Sequence, residues 1–379
     1  MASPTSHRRI VTSVLMLGLG LTPQWVASQV AVREAAWDPA AAADYLDARQ
    51  AWWRTWPNAA RDHGTSCVSC HTSLGYALAR PALRDALGEA GPTPPETGLL
   101  GDVTKRVTLW TEVEPFYPDQ TVGLPKTSES RGTEAILNAV ILASRDARGG
   151  RLSDDTRRAF ENLWRLQFTR GDGTGGWAWL YFGLAPWESD GAEYFGAALA
   201  AVAIGTAPEG YARSNEIEER VGLLRDYLLE DWSDRRLLDR ALLLWASSEL
   251  PNVLSGEQKQ TIIRDIGSAQ NGDGGWNVGS LGRWERQDGL PQSPDSDGYA
   301  TGLIAFVLQR AGVAKPEPTL SRALDWLVQN QDANTGQWWA QSLNKSRDPE
   351  SDRGLFMSDA ATAFAVLALT EADVRTRAR

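Results

Sequence analysis

The chain has 379 residues, 42% hydrophobic and 23% charged, with a formal net charge of −10. It is too apolar for disorder and too long for one small domain, and its acidity argues against nucleic acid or anionic membrane as partners, since both are polyanions that need a basic surface. Two cysteines exclude a disulfide scaffold, and with only three histidines they leave room for one conventional transition-metal or haem site; the 17 tryptophans are the other unusual count.

From the N-terminus, His7, Arg8 and Arg9 precede an apolar run from Ile10 to Leu21. That run falls short of the about 20 residues that cross a bilayer, so residues 1–28 read as an export leader cleaved after Ser28, with an uncleaved anchor as the alternative. Export predicts a periplasmic protein without an integral membrane domain. Beyond the leader, His63, His71 and Met357 are the only histidines and methionine.

Next come Pro39–Ala40 and an alanine-rich segment through Tyr45, Leu46, Trp52, Trp53 and Trp56, stopped by Pro57; a second segment from Leu74 to Leu87 also reads as helix. Between them lie both cysteines, in Cys67-Val68-Ser69-Cys70-His71. This is the attachment pattern of c-type haem: each thiol forms a thioether with a haem vinyl group, and the adjacent imidazole is the proximal iron ligand. A redox dithiol is an alternative, but the neighbourhood lacks a βαβ pattern. Zinc held by His63, Cys67, Cys70 and His71 is another, although adjacent Cys70 and His71 depart from usual zinc spacings. Residues 33–98 resemble a reduced cytochrome c domain, which implies one covalently attached haem c held by Cys67, Cys70 and His71. No methionine lies in that segment, so the sixth iron ligand is Met357 from the distal part of the chain, His63, or an open position.

Residues 99–130 carry Trp110, Pro115, Phe116, Tyr117, Pro118 and Pro125, too aromatic for a flexible linker, and read as a strap between two domains. Residues 131–373 then repeat. One helix set has one-sided apolar stripes (Phe160, Leu163, Trp164; Ile262, Ile263, Ile266; Leu320, Leu324, Leu327), each followed by Gln and a Gly-rich turn ending in Trp: Gln167 to Trp177, Gln270 to Trp276, Gln331 to Trp338. A degenerate copy runs from Tyr227 to Trp232. The other set is rich in small residues and starts near an acid: Glu134, Glu193, Asp297 and Asp359. Alternation of amphipathic and small-residue helices predicts an all-α chain, a small cytochrome c-like helical module followed by an incomplete or complete α/α toroid.

Gln270-x3-Gly274-x-Trp276, and Gln331 with Gly336-x-Trp338, resemble the QW motif of squalene and oxidosqualene cyclases, and the region is similar to the terpenoid cyclase and prenyltransferase toroid. The resemblance implies a structural role for Gln270, Trp276, Gln331 and Trp338, with the Gln capping a helix end and stacking on the Trp of the next repeat. It implies no cyclase activity: Asp295-Ser296-Asp297-Gly298 lacks the paired acid of the family's DxDD motif, and no cysteine remains for a prenyltransferase zinc. Tyr194 and Tyr299 are the bases that lyase chemistry would require in a toroid without histidine. The four acids read as helix-dipole partners, or as a carboxylate ring at one mouth. Trp179, Trp187, Trp245, Trp284 and Trp339 read as core or as the lining of an apolar pocket. The expectation is a mono-haem electron-transfer protein with a redox partner protein; a haem-dependent oxidase of an apolar small molecule and a non-catalytic haem- or ligand-binding protein are the alternatives.

Overall fold

A computed structural model of the chain describes Met1 and residues 36–377; the segment read as an export leader lies almost wholly outside the described residues. No helix among the described residues is long and apolar enough to cross a membrane.

The chain is an α/α toroid. Six helices form an inner ring: α2 (Ser73–Leu87), α5 (Lys126–Gly149), α7 (Ala192–Thr206), α9 (Leu237–Glu249), α11 (Gly298–Arg310) and α13 (Phe356–Arg377). Each packs on the next, and α13 returns to α2, so the ring is closed. Six more stand outside it: α1 (Pro39–Thr55), α3 (Pro94–Thr108), α6 (Asp154–Leu166), α8 (Glu218–Leu229), α10 (Gly256–Ser268) and α12 (Pro318–Gln329). The short α4 (Asp119–Val122) lies in a connection. Sequence explains the division. Residues Tyr194 to Ile204 of α7 are buried on every side, as a helix apolar all round must be, whereas α10 buries only Ile262 and Ile266 and turns its charges outward.

The segment carrying both cysteines belongs to this ring: α2 is an inner helix against α13 and α5, and α1 and α3 are outer helices. The apolar core runs without a break from Ala42 to Ala372. The stretch read as a strap holds the larger part of α3, all of α4 and the start of α5, joined by irregular segments.

The QW turns clamp the outer ring. In each full copy the Gln side-chain amide donates to a carbonyl of its own turn and to one at the start of the next outer helix: Gln167 to Gly175 and Arg220, Gln270 to Gly274 and Thr319, Gln331 to Gly336 and Asp38. The Trp indole instead returns to its own helix, donating to the carbonyl four residues before the Gln: Trp177 to Leu163, Trp276 to Ile266, Trp338 to Leu327. The third clamp reaches α1 and closes the circle. At the degenerate copy Arg225 donates to the Pro251 carbonyl in the connection between α9 and α10.

Candidate functional site

Because outer and inner helices alternate, every outer-to-inner connection emerges at the same mouth of the ring. The one between α1 and α2 is a two-stranded hairpin, β1 (Ala60–Arg61) against β2 (Thr65–Ser66), followed at once by the cysteine motif. Ser69 inside the motif starts α2: its Oγ accepts the backbone N–H groups of Thr72 and Ser73. Three buried carboxylates hold the segment. Asp102 accepts from Ser66 Oγ at 2.8 Å, Glu134 is joined to Thr65 through Arg106, and Asp359 accepts from Thr72 Oγ1 at 2.6 Å.

Cys67, Cys70 and His71 line one cavity of about 210 Å³, together with Trp53, Trp56 and Tyr117, the loop Leu184–Glu188, and Ser342 to Met357 before and at the start of α13. Both thiols are free and buried. Burial pushes Cys67 up to about 12 and Cys70 well above its usual value, which keeps them as neutral thiols and removes the thiolate a redox dithiol needs. The His71 imidazole is pushed down to about 3, first by burial and then by the Arg49 charge, so it is neutral and its lone pair is available. Phe356 stacks on it with ring centroids 3.9 Å apart, and Trp53 meets it edge-on at 5.0 Å.

Met357 is buried in the wall of this cavity. His63 is elsewhere: it sits at the hairpin tip with φ of 56°, 38% exposed, its Nδ1 2.9 Å from Asp62, and does not line the cavity. Among the described residues no three His, Cys, Asp or Glu side chains are grouped as a metal site. A c-type haem needs no such group, only one imidazole and two thiols.

The acids differ from one another. Asp297 caps α11, its carboxylate accepting from Ala300 N–H and from Val278 N–H. Glu193 is exposed in the first turn of α7. Glu134 lies in mid-helix, since α5 begins at Lys126, and is ion-paired with Arg106 at 2.5 Å rather than serving a helix end. Asp359 faces Arg49 at 2.7 Å. Of the tryptophans, Trp187 lines the motif cavity and Trp245 a second one, about 620 Å³, at the opposite mouth; Trp339 is 40% exposed. The Tyr194 hydroxyl donates to the Leu228 carbonyl and that of Tyr299 accepts from Trp187; burial raises both phenols, so neither is a ready base.

Sequence reasoning missed Glu188, Arg347 and Arg353. Glu188 is the one carboxyl among the described cavity residues, and burial, opposed by the Lys126 charge, pushes it up to about 7. Arg347 and Arg353 line both this cavity and the shallower one beside it, and neither makes an ion pair among the described residues; Arg353 lies over the Trp56 ring. The donor set fits a haem: two thiols, a neutral imidazole, a thioether in the wall, and two unpaired guanidiniums for the two haem carboxylates. The volume is below the roughly 300 Å³ at which ligand pockets begin. Seating a macrocycle would therefore require the cavity wall to open.

No family model matches the chain, and no curated protein matches it. Among solved structures it is similar to two titled as glycosidases. Each is 11% identical over 89% of this chain and 98% of theirs, with TM-scores of 0.51 and 0.50. At that identity the likeness concerns the toroid fold alone.

Proposed function

We propose that this is an exported, periplasmic mono-haem c-type protein that transfers electrons to and from a redox partner protein, with haem c held by Cys67, Cys70 and His71 and Met357 as the second axial ligand. When bound, the haem supplies an iron that cycles between two oxidation states. The chain's own residues bind it through the two thiols, present a neutral imidazole, and shield the site with Trp53, Trp56 and Trp187. The observation that carries the reading is that both cysteines and His71 line one cavity together with Met357, which follows His71 by 286 positions in the chain.

Glu188 favours a second reading, a haem-dependent oxidase, because a carboxyl poised near neutrality is suited to proton transfer. Glycoside hydrolysis by this cavity is not supported, since that chemistry needs a pair of carboxyl groups and Glu188 stands alone there among the described residues. The test is the chain produced alongside c-type maturation machinery. The expected product carries one covalent haem, lost in Cys67→Ala/Cys70→Ala, with a six-coordinate low-spin spectrum indifferent to cyanide and carbon monoxide. High-spin iron that binds those ligands readily selects the oxidase; absence of covalent haem overturns both.

A further inference from the structure

Asp359 is buried at the start of α13 and takes four hydrogen bonds. Arg49 Nε (2.7 Å) and Tyr45 Oη (2.8 Å) donate to Oδ1; Arg49 Nη2 (3.1 Å) and Thr72 Oγ1 (2.6 Å) donate to Oδ2. Burial raises the Asp359 carboxyl and the Arg49 charge opposes it; with a guanidinium that can only donate bonded to both of its oxygens, the carboxylate accepts on each, and the single hydroxyl hydrogen of Thr72 is committed to Oδ2. The Thr72 oxygen lies 2.8 Å from His71 Nδ1 and has only lone pairs to offer. The imidazole therefore carries its hydrogen on Nδ1. Nε2 is left bare, with no hydrogen bond from any described residue.

We propose that Asp359, anchored by Arg49 and Tyr45, is the positioning residue of His71, acting through Thr72 to fix the Nδ1–H tautomer and to strengthen Nε2 as an electron donor to iron. The effect on iron rests on the haem reading above; the tautomer does not. A hydrogen bond to an acceptor that is itself backed by an anion draws the Nδ1 proton outward and raises the basicity of the opposite nitrogen, and a stronger donor favours the ferric state. Arg49 is in turn fixed by Asp352, through its side chain at 3.0 Å and its carbonyl at 2.8 Å. The relay thus joins α1, the motif and α13, and exists only where the ring closes.

Two measurements test it on the full chain. Nitrogen-15 NMR of the protein before haem attachment should show His71 protonated at Nδ1 and bare at Nε2, a preference lost in Thr72→Val and retained in Thr72→Ser. In the holoprotein, Thr72→Val and Asp359→Asn should raise the midpoint potential, with Thr72→Ser unchanged. If Asp359→Asn fails to fold, Thr72→Val carries the comparison, since it keeps shape and leaves the Arg49–Asp359 pair intact. An Nε2–H tautomer in the unaltered chain, or a Thr72→Val holoprotein with unaltered potential, overturns the proposal. A chain that takes no haem but shows the Nδ1–H tautomer overturns the function proposed above and leaves the relay standing.

Discussion

Met357 and Glu188 stand on the walls of one cavity and pull its chemistry in different directions. A thioether on iron closes the sixth position and raises the potential, which suits an electron carrier; an open position beside a carboxyl near neutrality suits ligand chemistry. The oxidised holoprotein should therefore show the long-wavelength sulfur-to-iron charge-transfer band, and Met357→Ala should abolish it and let carbon monoxide bind the reduced iron. Absence of the band in the unaltered protein would reject Met ligation. The attachment residues were legible in the sequence because the two-residue spacing and adjacent histidine are a local signature. Their supports were not. Thr72 meets Asp359 from 287 positions away, and an acid in the first turn of a helix reads as a dipole partner until Arg49 is seen to face it.

At the scale of the helix, repetition made the outer ring readable, because a stripe, a Gln, glycines and a Trp recur in local order. Gly274 is required where it stands: with φ of +98°, its Cβ would lie 2.9 Å from the Arg322 carbonyl oxygen on the next outer helix. The family resemblance implied that each Gln caps a helix end and stacks on the Trp of the next repeat; the structure adds that each indole donates to a carbonyl of its own helix. Helix starts were less legible. Glu134 looks like an N-terminal acid, yet Lys126 opens the helix two turns earlier. Asp297 is a true cap, and burial, opposed by the backbone N–H groups it accepts, pushes it up to about 6. A folded-state pKa above the unfolded one means that the folded chain binds the extra proton, so the stabilisation is complete below about pH 4 and is lost as pH rises through about 6. That contribution is no more than about 3 kcal/mol. Asp297→Asn keeps an acceptor for Ala300 N–H while removing the proton. Urea unfolding of this variant should lose less stability than the unaltered chain between pH 4 and 6; parallel curves would refute the assignment.

For the whole molecule, the decisive contact joins its two ends. Asp38 N–H donates to the Gln331 side-chain oxygen at 2.6 Å, Gln331 Nε2 donates back to the Asp38 carbonyl at 2.9 Å, and Trp37 packs on Trp338. No local pattern announces a pairing 293 residues apart, so the sequence reads as a haem module joined to a separate toroid. The continuous core predicts instead that α1 and α2 unfold with the rest, because a ring helix removed exposes the apolar faces of both neighbours. Thermal unfolding followed by far-ultraviolet dichroism and by tryptophan fluorescence should then give one coincident transition, while two separated transitions would restore two independent domains. Gly336→Ala sharpens the comparison. At φ of +77° its Cβ would lie 2.4 Å from the Ala41 carbonyl, backbone against backbone, so the α12–α1 seam must open. Strain of this kind costs on the order of 1–3 kcal/mol. Hydrogen exchange should accelerate in Pro39–Thr55 and, through the Arg49–Asp359 contact, at the start of α13, while α7 and α9 across the ring keep their protection. Acceleration confined to the turn at Gly336 would show that the seam is not what holds α1 in the ring.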